Sequence, residues 1–175
     1  MAEDELRYLA NYDALTGLPN RALLMDRIYH GIDQARRDRR SLALCFIDLD
    51  KFKEVNDQYG HAAGDVVIQA IADAVRKNLR ATDIAGRYGG EEYAILLVET
   101  NLEQAAFLAE RLRNSVEQLA IRYNGHVLKV TLSIGLAEHN KDMTEHRQWI
   151  EAADNALYRS KAGGRNRVTC YSLLD

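Results

Sequence analysis

Apolar positions along this chain fall into two alternating rhythms. Leu23, Leu24, Ile28, Ile32 and Ala35 share one helical face after Asn20, a residue type that caps helix N-termini. That helix runs into Arg36-Arg37-Asp38-Arg39-Arg40, where cations favour the C-terminal end of the dipole. Residues 42–47 form a continuous apolar run closed by Asp48, the pattern of a strand buried on both faces. Val67, Ile68, Ile71, Ala74, Val75 and Leu79 return at threes and fours and predict a second helix. Residues 84–88 and 93–98 read as strands around Gly89-Gly90, which predicts a tight hairpin with positive φ at its glycines. Asn101 opens a helix through Leu102, Ala105, Leu108, Leu112, Val116 and Leu119. Leu128, Val130, Leu132, Ile134 and Leu136 alternate with mostly polar neighbours and predict one half-exposed strand. Thr144 opens a helix through Trp149, Ile150, Ala153 and Leu157 that ends at Gly163-Gly164, and residues 168–171 make a last short strand. The sum is about five strands with helices between them and one antiparallel hairpin. That is a central mixed sheet flanked by helices, α/β or α+β.

At 175 residues this is one domain with enough chain to bury a core. Residues 1–12 stand apart, polar and charged with Leu6, Leu9 and Tyr12 at helical spacing. They read either as the end of a linker or stalk helix or as a frayed terminus; residues 13–175 are the single domain. Lys and Arg total 23 against 26 Asp and Glu, a net charge of −3, which argues against non-specific nucleic-acid binding. It leaves room for a small anion held by a local cationic cluster. No apolar run reaches the ~18 residues of a membrane span, and the acidic N-terminus lacks a signal-peptide pattern, so the expected location is cytoplasmic. Cys45 and Cys170 both sit in apolar runs and read as buried, reduced thiols.

Candidate chemistry gathers at strand ends and loops. Asp48 and Asp50 close the first strand, and acids there project from a sheet edge where such folds bind ligands. Glu91 and Glu92 follow the Gly-Gly turn, and strand alternation sends them to opposite sides. If the hairpin lies beside the first strand, Asp48 and one glutamate converge. Converging carboxylates repel unless a cation sits between them, and an all-oxygen site suits Mg²⁺ with substrate phosphates. Otherwise these acids are solvated turn residues. Between residues 50 and 65 lie Lys51, Lys53, Asn56, Gly60, Gly64 and Asp65. A turn entering a helix offers backbone N–H groups to phosphate. An amide and a carboxylate are the donor and acceptor set for a guanine edge.

The motifs resemble a known family. Arg87-Tyr88-Gly89-Gly90-Glu91-Glu92-Tyr93 is similar to the hairpin of GGDEF domains, the diguanylate cyclases. The resemblance extends through Asp13-Ala14-Leu15-Thr16-Gly17-Leu18-Pro19-Asn20-Arg21, through Asp48-Leu49-Asp50-Lys51-Phe52-Lys53 to Asn56 and Asp65, through Ser133-Ile134-Gly135, and through the closing stretch from Ala153 to Asn166. Five ordered motifs over nearly the whole chain are specific, where a lone GGEEY would not be.

The resemblance implies a nucleotidyl-cyclase or polymerase-palm-like sheet and condensation of two GTP into cyclic di-GMP with release of two pyrophosphates. It implies Mg²⁺, with Mn²⁺ as the alternative ion, on Asp48, Glu91 and the Leu49 carbonyl. It makes Glu92 an acid near the reacting ribose and metal. Asn56 and Asp65 would read guanine. Lys53, Lys161, Arg165 and the backbone near Phe52 would hold phosphates. Arg80 and Asp83 form an RxxD pair before the hairpin, the family's inhibitory product site, to which Arg111 would add a second arginine. Turnover would need a homodimer. An upstream sensor or receiver module is expected and absent here, and the full-length parent could be membrane-anchored. Tyr93 replaces the family's Phe and must place a hydroxyl; activity is expected to survive it. The alternative is a degenerate domain that binds GTP or cyclic di-GMP as a receptor, against which the intact acids argue. A palm-type transferase that uses ATP is a third reading.

Overall fold

A computed structural model describes residues 2–172. Its centre is β1 (Leu42–Leu49), buried along its whole length because helices cover both faces. Alternation divides its side chains. Ala43, Cys45, Ile47 and Leu49 enter one core, and Leu42, Leu44 and Phe46 enter the other. The first core also takes α4 (His61–Asn78) and α5 (Leu102–Glu117); the second takes α2 (Arg21–Asp38) and α6 (His146–Ala162).

Strand order is β2-β3-β1-β6-β7, with β2 (Ile84–Arg87), β3 (Glu92–Val98), β6 (Leu132–Glu138) and β7 (Arg167–Cys170). All pairings are antiparallel except β6 with β7, so the five-stranded sheet is mixed, as the sequence predicts. Helix α1 (Ala2–Asn11) comes before α2 with Leu6 and Leu9 exposed. Met1 and residues 173–175 lie outside the described residues.

Four details differ from the sequence reading. Residues 128–136 are not one half-exposed strand. Leu128 ends β5 (His126–Leu128), which pairs only with β4 (Ile121–Tyr123) in a separate hairpin, and β6 is a buried interior strand. The residues between its large apolar side chains, Ser133, Gly135 and Ala137, are small rather than solvated. Second, residues 88–91 form a four-residue hairpin turn, and neither Gly89 nor Gly90 has positive φ. Third, a separate helix α3 (Phe52–Tyr59) stands before α4, divided from it by Gly60 at φ 92°. Fourth, Cys170 is half-buried rather than buried; both cysteines are free.

Candidate active site

The register of β1 and β3 brings the acids together. Asp48 pairs with Glu92, and the Leu49 N–H donates to the Glu91 carbonyl at 3.1 Å, which seats Glu91 over the end of β1. Asp48, Leu49, Asp50, Lys51, Phe52, Lys53, Glu91, Lys161 and Arg165 line one depression of about 230 Å³. Glu92 lines a different one with Tyr88, Glu151 and Asp154. Its Oε2 lies 2.7 Å from where a Cβ on Gly89 would stand, so that glycine makes room for the carboxylate.

The depression is electrostatically uneven. Burial pushes the Asp48 carboxyl above its usual range, against the pull of Lys161, and Asp50 adds to the rise. Glu91 is raised too, first by burial and then by Asp48. Lys161 Nζ donates to Asp48 Oδ2 at 2.5 Å. Two crowded carboxylates beside a backbone carbonyl are an oxygen donor set that a hard divalent cation fits. No group of three His, Cys, Asp or Glu side chains suited to a metal occurs among the described residues.

The basic residues arrive because α6 is pinned to β6. A Cβ on Gly135 would lie 2.1 Å from the Leu157 nitrogen, so helix and strand touch backbone to backbone. Ser160 Oγ donates to the Ile134 carbonyl at 2.7 Å and Trp149 Nε1 to the Ala137 carbonyl at 2.8 Å. The motif Ser133-Ile134-Gly135 is thus a docking strip that carries Lys161 to Asp48.

Across α3 and α4, Gly64 takes the same role for Asn56. A Cβ there would collide with Asn56 Oδ1 at 1.9 Å. Asn56 is half-exposed and Asp65 exposed at the start of α4. Gly64, which shapes the place of the candidate residue Asn56, reads from sequence only as a loop glycine; its apolar neighbours Ala63 and Val67 mark it as helical and packed.

The hairpin itself is tied from below. Arg87 Nη1 donates to both oxygens of Asp13 at 3.1 and 3.2 Å, and Arg87 Nη2 to the Gly90 carbonyl at 2.7 Å. Asp13 Oδ2 also accepts from the Thr16 N–H and hydroxyl. Burial works to raise the Asp13 carboxyl, but these bonds outweigh it and hold it below its usual range. Tyr93 places its hydroxyl by donating to the Ile68 carbonyl of α4 at 2.7 Å, so the extra oxygen is buried but satisfied.

Arg80 and Asp83 form a closed pair away from this depression. The Asp83 side chain is fully buried and accepts from the Arg80 backbone N–H, Nε and Nη2. Arg80 Nη2 also reaches Thr100 Oγ1 at 2.6 Å, and about half of its side chain stays exposed. Arg111 leans on Asn78, two residues before Arg80, through Nε and Nη2 at 3.1 and 2.9 Å. The two arginines therefore border the same end of α4.

Residues 10–167 match the family described as "Diguanylate cyclase, GGDEF domain". Diguanylate cyclase A of Treponema denticola is 44% identical over 147 residues, 84% of this chain and 39% of that protein. Diguanylate cyclase DgcP of Pseudomonas aeruginosa is 41% identical over 94% of this chain and 24% of its own length. The chain thus spans well under half of these relatives. The coiled-coil and GGDEF portion of DgcB from Caulobacter crescentus, solved with c-di-GMP, superposes with a TM-score of 0.91 at 31% identity over 97% of this chain and 90% of that one.

Proposed function

Because the chain belongs to the GGDEF domain family of diguanylate cyclases, we propose that it joins two GTP molecules into cyclic di-GMP and releases two pyrophosphates. The carrying observation is the single depression in which Asp48 and Glu91 face Lys53, Lys161 and Arg165. In this reading Lys53, Lys161 and Arg165 hold the outer phosphates of GTP, assisted by backbone N–H groups at the start of α3. Asn56, whose amide sits in the space that Gly64 leaves, takes the guanine edge together with Asp65. Asp48, Glu91 and the Leu49 carbonyl would hold Mg²⁺ or Mn²⁺. The bound cation neutralises phosphate charge and favours ionisation of the attacking hydroxyl.

Each 3′-oxygen attacks the α-phosphorus of the other GTP. One P–O bond forms and the bond to pyrophosphate breaks, and the event occurs twice per cyclic product. Each chain supplies one triphosphate site, so the two halves come from a homodimer. An upstream module in a longer protein would set the geometry of the pair. Among the described residues no helix is long and apolar enough to cross a membrane.

Product feedback is part of the proposal. Asp83, buried and saturated by Arg80, holds that guanidinium with half its surface free to fork a phosphate or guanine edge, and Arg111 stands near it. The deciding measurement is GTP turnover across protein concentration, with and without added cyclic di-GMP. Product that forms from GTP and not from ATP is the expected result. A dimeric sample that makes none sinks the cyclase reading, and tight cyclic di-GMP binding beside null turnover favours a receptor. Arg80→Ala should relieve inhibition with initial rates nearly unchanged; unaltered inhibition would remove the arginine from that role.

A further inference from the structure

Asp50 lies two residues beyond Asp48 and is equally buried, yet its carboxylate is engaged elsewhere. Oδ1 accepts from Ser133 Oγ at 2.5 Å. Oδ2 accepts from Thr131 Oγ1 at 2.7 Å and from the Asn166 backbone N–H at 2.9 Å. Its own N–H donates to the Thr131 carbonyl at 2.9 Å. One buried side chain therefore joins the end of β1, the start of β6 and the turn between α6 and β7.

That turn needs fixing. Gly164, Arg165 and Asn166 follow one another at φ 120°, 65° and 47°, and two of the three carry a Cβ that disfavours such backbone. The Arg165 guanidinium makes no hydrogen bond among the described residues, so the turn sets the point from which the side chain reaches toward Asp48. Asn166 is clamped from the far side as well. Its Nδ2 donates to Glu117 at 3.1 Å, and its Oδ1 accepts from Arg113 Nη1 at 2.8 Å.

We propose that Asp50 is a positioning residue that, through the Asn166 N–H, fixes the turn presenting Arg165 to the phosphates of the nucleotide. This rests on reading the depression beside Asp48 as the triphosphate site. With three donors already on its two oxygens, Asp50 leaves Asp48 and Glu91 as the carboxylates that face the cation.

The link is testable by steady-state kinetics and amide exchange on the same variants. Asp50→Ala should raise KM for GTP about tenfold with kcat within about twofold, because phosphate binding is shared by ground and transition states. Asp50→Asn should recover most of that loss. Its carbonyl can take the Asn166 N–H and its NH₂ can donate to Ser133 Oγ. Arg165→Asn, whose new residue tolerates positive φ, should raise KM similarly, and adding Asp50→Ala to it should cost little more. Amide exchange at Asn166 should quicken in Asp50→Ala while the β1 amides stay protected. Asp50→Ser withdraws the acceptor from Asn166 by one bond while leaving a polar hydroxyl in the buried site, so it reads the same link if Asp50→Ala fails to fold. Additive losses with Arg165→Asn, a fall in kcat at constant KM, or unchanged Asn166 exchange would each overturn the assignment. If a dimeric wild-type sample turns over no GTP, the cyclase reading fails and the exchange result decides the Asp50 link alone.

Discussion

Lys161 rests its ammonium on Asp48, where two carboxylates already crowd one another. A cation that binds there must displace the ammonium from Asp48, while a triphosphate gives it a new partner. These two effects oppose each other, which separates this lysine from a simple phosphate ligand. Lys161→Met should therefore tighten Mn²⁺ binding to the nucleotide-free chain by about three- to tenfold, on the ~1 kcal/mol scale of a partly exposed ion pair, and at the same time raise KM for GTP. Mn²⁺ titration followed by electron paramagnetic resonance reads the first effect; unchanged or weaker Mn²⁺ binding would show that Lys161 does not occupy the cation's place. At this scale the sequence was legible where a motif named the residue type. It was silent about direction. Asp48 and Asp50 look alike as two acids closing a strand, and only the positions of Thr131, Ser133 and Asn166, supplied by remote segments, show that the Asp50 carboxylate is already engaged. The hydroxyl of Tyr93 likewise finds Ile68 only after α4 packs on β3.

Elements are held in place here by close approach and by one charged knot. At Gly135 a methyl group has no room against the Leu157 backbone. Gly135→Ala should cost about 3 kcal/mol, or roughly 10 °C in Tm for a domain this size, and should weaken GTP binding by lifting α6 and Lys161 from β6. Thermal unfolding checks the first part; a loss near zero would mean the contact yields easily. The knot of Asp13 with Thr16 and Arg87 gives a pH signature. A carboxyl with a lower pKa folded than unfolded stabilises the fold above the unfolded value, and that stability is lost as pH falls through the folded value. Asp13→Asn should thus be about 1–2 kcal/mol less stable near neutral pH, with the gap to wild type closing below roughly pH 4. Urea unfolding of both proteins across pH tests this, and a gap independent of pH would place the effect outside the charge. Helices were legible from their apolar faces, and β1 from its unbroken run. β6 was misread because Ser133, Gly135 and Ala137 look like an exposed side when they are the small side against α6. The β4–β5 hairpin carried its signal openly in Asn124-Gly125, both at positive φ as a two-residue I′ turn requires.

At the scale of the whole molecule, the proposal of one triphosphate site per chain forces a consequence that a single-chain view hides. In the proposed reaction each of the two bonds in cyclic di-GMP forms at an α-phosphate held by one chain, attacked by a hydroxyl whose nucleotide is held by the other. A chain that lacks Glu91 still offers Asn56, Asp65, Lys53, Lys161 and Arg165 to a nucleotide, so it can present a 3′-hydroxyl without supporting attack at its own phosphate. A pair of one wild-type and one Glu91→Gln chain then completes one bond and loses one pyrophosphate. It yields the linear dinucleotide pppGpG rather than the closed ring. Adding a tenfold excess of Glu91→Gln chain to fixed wild type should therefore suppress cyclic product several-fold at concentrations where chains pair, while linear dinucleotide accumulates. At concentrations below pairing, specific activity should rise with total wild-type chain, since the active species is a dimer formed by mass action. Chromatography of the nucleotide products resolves the two outcomes. Cyclic product unaffected by the excess, with specific activity independent of concentration in a monomeric sample, would mean that a single chain closes the ring and that the facing-pair mechanism is wrong.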